Sequence, residues 1–541
     1  MSKKAKIFLH PGYVIGEISP RLYGAFLEPI GTMVNGSMFN PKHPTADEDG
    51  FRRDWIDELK KCDLPALRLP GGNFVSCWEW KDSIGPKEQR KKHLDLAWHQ
   101  YITNEVGHDE YLKWAEHIGA EPMYTVNLGT ERSIKELIHI IEYTNHEGGT
   151  YWSDLRKEYG REKPYGVKMW YLGNEMDGPW QLGSWERDPK GYGILCNEVS
   201  KAMKWVDGSI ETAVCGSSAP FMEHFPQWDY EVMSECYNAV DYLSIHHYHH
   251  AAPGNYAQLL GGAEYYEDFI NTEIAMCDFV QAKNRSPKKM MISFDEYGAM
   301  MHPLGEIKHP AWGPYNMYDA HYRFDPDRGY VLHDPDNMNW FRRRSDGKPM
   351  PGDMMNALAN ASIILAFMRH ADRVKIGCMT GGLNTLVSTS KETVWRSGAH
   401  YPFHMLSQLG RGVSLKPYVE CDTFDIPEYV VDETSKYPEK KNVRFIDVAV
   451  AHDPEKGELN IFAINRDTDN THEFELDVAN FEGYTLKEHI TLYDESMLKR
   501  NSPENPEELI PSADESTSLC DGKIVGEFKP LSWNVIRLVK E

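Results

Sequence analysis

Eight short apolar runs recur along the first 385 residues, each ending in polar residues or glycine: Tyr23 to Leu27, Ala66 to Leu69, Met123 to Val126, Met169 to Leu172, Ala213 to Gly216, Tyr242 to Ile245, Met291 to Phe294 and Val374 to Met379. Runs of this length without strict alternation suit parallel strands buried on both faces. Segments with helical period lie between several of them. In Tyr111 to Ile118, for instance, Tyr111, Trp114, Ala115 and Ile118 share one stripe and Gly119 supplies a C-terminal stop. Strand, helix, strand repeated eight times predicts an α/β chain folded as a (β/α)8 TIM barrel over residues 19–390.

The pattern changes after Leu383. Pro402 to Leu406 reads as one last helix, ended by Gly410-Arg411-Gly412, and the chain then turns to alternation: Phe445 to Val450, Leu459 to Asn465, Glu473 to Val478, Glu488 to Tyr493, Ile524 to Phe528 and Trp533 to Val539. Turn formers such as Asp453-Pro454-Glu455-Lys456-Gly457 separate these strands. Residues 391–541 therefore read as a linker helix and an antiparallel, jelly-roll-like β-sandwich. Within residues 1–18 the run Lys6 to His10 is expected to add a strand to that sandwich, and the acidic stretch Ser502 to Ser518 to form an exposed loop. A long aromatic and charged segment, 300–353, follows the seventh strand without sustained helical period. It is expected to overhang the catalytic face and restrict the site to short oligosaccharides or chain ends.

Two of the eight runs lead straight into a glutamate: Trp170-Tyr171-Leu172-Gly173-Asn174-Glu175 and Ile292-Ser293-Phe294-Asp295-Glu296. Chemistry on such barrels sits at the C-terminal strand ends. The residues there are Glu28, Arg68 with Asn73, Asn127, Asn174 with Glu175, Ser217, His246 with Tyr248, Glu296 and Asn384. Carboxylates, amides, hydroxyls and imidazole suit a polyhydroxylated ligand, and a carboxylate pair across a barrel mouth points to a retaining glycosidase.

Composition narrows the partner. The 541-residue chain has 41% hydrophobic residues, enough for two cores, and a net charge of −24, which disfavours nucleic acid and anionic membranes and leaves a neutral sugar. No run approaches the length of a membrane span, and the basic N-terminus has no apolar signal core before Pro11, so a cytoplasmic location is expected. Nine cysteines, odd in number and without a C-x-x-C pair, indicate free thiols in a reducing compartment. The proposed chemistry needs no cofactor.

Several residues carry competing readings. Thr103-Asn104-Glu105 is a second Asn-Glu pair, but it precedes a helix, which favours a capping or structural role. Asp295, by strand alternation, is expected to face away from Glu296. The run His246 to His250 lacks the H-E-x-x-H arrangement and sits at a strand end, so no metal site is expected. Among the tryptophans, Trp180 beside Glu175 is the candidate for the aglycone side.

In combination, Leu22-Tyr23-Gly24-Ala25-Phe26-Leu27-Glu28, Arg68-Leu69-Pro70-Gly71-Gly72-Asn73-Phe74-Val75, Thr103-Asn104-Glu105-Val106-Gly107, Leu172-Gly173-Asn174-Glu175-Met176-Asp177-Gly178-Pro179-Trp180, Ser244-Ile245-His246-His247-Tyr248 and the strand ending in Glu296 span the barrel. The chain thereby resembles glycoside hydrolase family 51, the α-L-arabinofuranosidases. That resemblance implies Glu175 as acid/base, Glu296 as nucleophile, and Glu28, Arg68, Asn73, Asn174, His246 and Tyr248 as residues lining a furanose pocket. For Arg68 a second reading is a buried ion pair that holds the carboxylates. The resemblance further implies exo-acting release of terminal α-L-arabinofuranose from oligosaccharides and a homo-oligomer such as a hexamer. The family pattern is broken at Glu296-Tyr297-Gly298-Ala299-Met300, where relatives continue Glu-Trp-Asn-x-Trp, at Thr380-Gly381-Gly382-Leu383-Asn384, where Ala-Gln-Leu-Val-Asn is usual, and at Pro29, where histidine is common. These changes imply a wider glycon site. β-D-Galactofuranosidase activity is therefore an alternative, as are an endo-acting β-glucanase and a catalytically weak sugar-binding protein.

Overall fold

The computed structural model describes residues 3–30, 32–98, 100–252, 254–301, 322–325, 329–332, 352–390, 392–430 and 436–540, with side chains left aside at 300–301, 322–325 and 329–332. Most of the 300–353 segment expected to overhang the site lies outside these residues.

Eight parallel strands close into a barrel in chain order: Gly24–Phe26, Ala66–Leu69, Glu121–Val126, Met169–Leu172, Glu211–Cys215, Tyr242–Ala251, Met291–Met301 and Val374–Met379. All eight strands expected from the apolar runs are present. Helices follow on the outside, among them Arg53–Lys60, His108–Ile118, Ile134–Asn145, Pro189–Val206, Gln227–Cys236, Ala263–Asn284 and Met354–Arg369. The helix predicted over Tyr111 to Ile118 begins one turn earlier, at His108, where the Glu110 carboxylate accepts from the Gly107 N–H. It ends at Gly119 in the left-handed conformation, φ 79°.

Inward residues at the barrel base form a small core of Phe26, Ala66, Met123, Met169, Tyr171, Ala213, Ile376 and Cys378, while outward residues such as Trp170, Leu172, Phe294 and Ile292 join the larger shell beneath the helices. The base is thus filled with apolar side chains and the polar strand ends are left for the opposite mouth. The sixth and seventh strands run past the others, carrying His246 to His250 and Glu296 within paired structure.

The rest of the chain forms two stacked sheets. One orders Tyr418–Cys421, Lys3–Phe8, His472–Asp477, Lys523–Phe528 and Ser518–Cys520; the other orders Val14–Glu17, Val413–Leu415, Ile446–Asp453, Glu458–Asn465, Ser532–Lys540, Tyr484–Leu492 and Ser512–Ala513. Their facing residues, including Ile7, Val448, Val450, Ile461, Phe474, Leu476, Phe528, Ile536 and Leu538, make a second core. The sandwich is not wholly antiparallel: Lys3–Phe8 lies antiparallel to Tyr418–Cys421 but parallel to His472–Asp477. Because that strand arrives from the N-terminus rather than through a hairpin, no tight turn dictates its direction.

Candidate active site

The fourth strand alternates until Leu172, and the chain then leaves it through two left-handed residues, Gly173 at φ 96° and Glu175 at φ 46°. A non-glycine residue in that region costs energy and persists where its surroundings hold it. Here the turn places Asn174 and Glu175, both buried, over the barrel mouth.

Glu296 arrives by a different device. Ser244 pairs with Ser293 but His246 pairs with Glu296, and on the other flank Phe294 pairs with Gly377 but Tyr297 with Met379. The seventh strand therefore carries one extra residue, a bulge. Phe294 and Tyr297 both point outward, their ring centroids 5.0 Å from that of Phe367. Between them Asp295 and Glu296 both turn inward. The expectation that Asp295 faces away is thus corrected: strand alternation fails by the inserted residue.

Arg68, fully buried on the second strand, sits at the centre. Its Nη1 donates to Glu296 Oε1 at 2.7 Å, its Nη2 to Asn174 Oδ1 at 2.7 Å, and its Nε lies 2.9 Å from Asp295 Oδ2. Its guanidinium carbon lies 5.0 Å from the Phe26 ring and 4.9 Å from the Tyr171 ring, so the charge rests on the aromatic layer below. Of the two readings of Arg68, the contacts are those of the buried ion pair. The Tyr248 hydroxyl donates to Glu296 Oε2 at 2.6 Å, so both oxygens of Glu296 are held.

Glu175 is held differently. His246 Nδ1 is 3.0 Å from its Oε1, and the Trp180 indole N–H donates to its Oε2 at 2.6 Å. Burial, reinforced by the charge of Glu296, raises the Glu175 carboxyl above its ordinary range against the pull of His246. Burial also disfavours charge on His246, but Glu296, Asp295 and Glu175 outweigh it and bring the imidazole up to about 10.

Around this centre the amides interlock. Asn73 Oδ1 accepts from Asn174 Nδ2 at 3.0 Å and from the Gln181 amide, whose Oε1 accepts from Ser76 Oγ at 2.7 Å. Glu28 Oε1 accepts from the Gly72 and Phe74 N–H groups at 3.0 and 2.8 Å, which fastens the Gly71-Gly72-Asn73 turn; burial, then the Glu296 charge, pushes Glu28 up to about 8. A Cβ on Gly72 would stand 2.7 Å from Glu296 Oε1, so the turn approaches the carboxylate as only glycine permits.

The eight residues singled out by the family resemblance thus converge. Other strand-end residues do not join them. Asn127 closes a turn on Gly129 and Thr130, Ser217 is bound to Asp229, and the Asn384 side chain accepts from Thr389. Asn104 adopts φ 56° and accepts from the Trp78 indole, and Glu105 is exposed, a structural corner rather than a helix cap. His247 and His249 point outward against Tyr266 and Tyr265, where burial keeps both neutral, His249 down at about 4. Sequence reasoning missed Asp295 and Gln181. Only the placement of Gln181 six residues after Glu175, in the same loop, could have marked it.

Carboxylate oxygens of Glu175 and Glu296 and an imidazole nitrogen of His246 lie within 4.8 Å of one another, the donor set of a metal site. Both carboxylates already face a protein cation or N–H/O–H donor, His246 is turned to Glu175 and Asp295, and Arg68 compensates the charge, so these residues do not fit a resident ion. What the arrangement supplies is two buried carboxyl groups with an oxygen of each within 4.8 Å of the other, one held by a cation, the other pressed toward its protonated form.

Comparison with known proteins agrees. Residues 58–269 match the α-L-arabinofuranosidase 1 domain and residues 338–532 the α-L-arabinofuranosidase C-terminal domain. The chain is 38% identical, over the full length of both, to an intracellular exo-α-(1→5)-L-arabinofuranosidase of Bacillus subtilis. Among solved structures it is similar to a family 51 α-L-arabinofuranosidase of Bifidobacterium longum, with a TM-score of 0.80 at 28% identity and full coverage of both chains. It is likewise similar to the arabinose complex of the Thermotoga maritima α-L-arabinofuranosidase, TM-score 0.80 at 27% identity over 99% of each chain. The chain belongs to the α-L-arabinofuranosidases of glycoside hydrolase family 51.

Proposed function

We propose that this enzyme releases terminal α-L-arabinofuranosyl residues from oligosaccharides with retention, Glu296 acting as nucleophile and Glu175 as acid/base. The observation that carries the assignment is the pair's spacing and asymmetry. An oxygen of each carboxylate lying within 4.8 Å of the other supports the short separation of a retaining enzyme, roughly 5–5.5 Å, over the roughly 6.5–9.5 Å of an inverting one.

Glu296, held by Arg68 and Tyr248, attacks the anomeric carbon while Glu175 gives its proton to the departing oxygen. Ester formation removes the Glu296 charge that had raised Glu175. Glu175 then takes a proton from water, the hydroxide equivalent attacks the anomeric carbon, and the ester breaks. Asn174 and Asn73 are assigned to the sugar hydroxyls, with the 2-hydroxyl facing Asn174, and Glu28 orients the turn that carries Asn73.

The glycon is tested with 4-nitrophenyl α-L-arabinofuranoside against 4-nitrophenyl β-D-galactofuranoside. Gly298 favours asking: a Cβ there would meet Tyr248 and Asn360 in ordinary contact at 3.8 and 3.9 Å, so the glycine leaves room for about one methyl group beside a residue that contacts Glu296. Preference for the arabinofuranoside, abolished by Glu296→Ala, supports the proposal; preference for the galactofuranoside replaces the glycon, and turnover of neither points to a binding role. Exo action inside the cell follows the relatives' names. Assembly as a homo-oligomer rests on the family alone, and light scattering on the eluted enzyme tests it.

A further inference from the structure

The bulge in the seventh strand places a third carboxylate beside the catalytic pair, and the reaction as written has no use for it. Asp295 is fully buried, and its Oδ2 lies 2.9 Å from Arg68 Nε and 3.2 Å from His246 Nε2. Burying a charge at such a place is costly unless it is paired. Arg68 also has Glu296 and Asn174 on its two Nη atoms, whereas His246 Nε2 has Asp295 as its partner.

The tautomer follows from these contacts. An ionised carboxylate only accepts, and Arg68 and His246 hold Asp295 below the usual range despite its burial, so His246 Nε2 carries a proton. Its Nδ1 then faces Glu175 Oε1 at 3.0 Å. The groups facing the ring are Glu175 after the fourth strand and Asp295 and Glu296 on the seventh, Glu296 Oε2 standing 3.8 Å from Nδ1; Arg68 faces it only through Asp295.

We infer that Asp295 is a positioning residue that acts through His246: it fixes the imidazole with Nε2 protonated and holds a second proton on Nδ1, where that N–H serves the Glu175 carboxylate. The inference rests on the acid/base reading of Glu175. Its value lies in the second half of the cycle. Once the ester has removed the Glu296 charge, the imidazolium remains beside Glu175 and favours the carboxylate that must accept a proton from water. No proton leaves His246; the N–H···O bond shortens as Glu175 ionises and relaxes when it is reprotonated.

The test is a double-mutant cycle on the full enzyme with 4-nitrophenyl α-L-arabinofuranoside: Asp295→Asn, His246→Gln and both, with Glu175→Ala as reference. Each single variant is expected to lower kcat about tenfold or more and kcat/KM less, because a good leaving group makes deglycosylation limiting. The basic limb of kcat/KM moves to higher pH as the positive charge beside Glu175 is lost, and azide, which needs no base, restores kcat. The double variant stays within about threefold of either single one. Losses that multiply, or an unmoved basic limb in Asp295→Asn, overturn the inference and leave Asp295 as a partner of Arg68 only. A second measurement stands if Asp295→Asn does not fold: 15N-histidine spectra of the unmodified enzyme, with His246→Gln for assignment, are expected to show both ring nitrogens protonated at neutral pH. An unprotonated Nε2 overturns the inference. Failure of Glu175→Ala to show azide rescue would instead overturn the acid/base reading.

Discussion

A single methyl group at residue 72 reaches the catalytic centre. The objection to alanine at Gly72 is steric: its Cβ would lie 2.7 Å from Glu296 Oε1 and 3.0 Å from Asn174 Nδ2. Gly72→Ala is expected to lower kcat/KM by about a hundredfold, as a misplaced nucleophile does, while leaving the melting temperature nearly unchanged; an active variant would mean that the turn moves freely. Trp180 acts on the other carboxyl group. Its indole N–H favours the ionised form of Glu175, so Trp180→Phe is expected to raise the Glu175 pKa and carry the basic limb of kcat/KM to higher pH, with a modest loss of rate. A limb that stays in place would return Trp180 to the aglycone role its position suggests. Here the sequence was half legible. A tryptophan five residues after the acid/base marks the site, but which end of the indole is used depends on how the Glu175 turn folds back.

Strand ends were legible because apolar runs stop where chemistry starts, and each of the eight runs became a barrel strand. The bulge was not. Ile292-Ser293-Phe294-Asp295 reads as alternation, the polar pair Asp295-Glu296 looks like an ordinary strand end, and the extra residue shows only when the neighbouring registers are compared. What holds the strand beyond the bulge is a pair of amides on the helix Met354–Arg369: Asn360 Oδ1 accepts from the Ala299 N–H at 3.1 Å, and Asn356 Nδ2 donates to the Ala299 carbonyl at 2.8 Å. These are buried asparagines on a helix that is otherwise almost wholly apolar. Asn360→Leu leaves a buried N–H without a partner and is expected to cost about 1–3 kcal/mol. Because Ala299 is three residues from Glu296, part of that cost should appear as lost activity below the melting transition. Denaturant melts paired with kcat would show it, and unchanged stability would mean that the strand end is held elsewhere.

Barrel and sandwich are joined by both apolar contact and charge. Ala449, Ala451, Phe462, Ile464 and Trp533 leave the sandwich core to join the shell under the barrel helices, a contact that strand alternation permits but does not assign to a partner. The charges could not be read from sequence either, since all are distant in the chain. Arg369, at the end of its helix, donates from Nε to Glu267 Oε1 and from Nη1 to Asp447 Oδ1, both at 2.7 Å, while His370 reaches Glu267 and Ser362 reaches Asp447. Burial works against both carboxylates, yet Arg369 and its neighbours hold Asp447 below its ordinary range and Glu267 down at about 2. A depressed carboxylate stabilises the fold above its unfolded pKa, and that stability is lost as pH falls through the folded value. For Glu267 the window runs from about 4.5 down to about 2. Arg369→Met removes the shared cation and leaves the buried Asp447 with Arg466 and the half-buried Glu267 with His370, at a cost of about 3 kcal/mol at neutral pH. Glu267, half-buried, should then rise toward its unfolded value, so the acid-unfolding midpoint of the variant moves to higher pH. Melting curves from pH 7 to pH 3 would read both effects. A variant that matches the parent at neutral pH and in acid would show that the apolar contact alone holds the two units together.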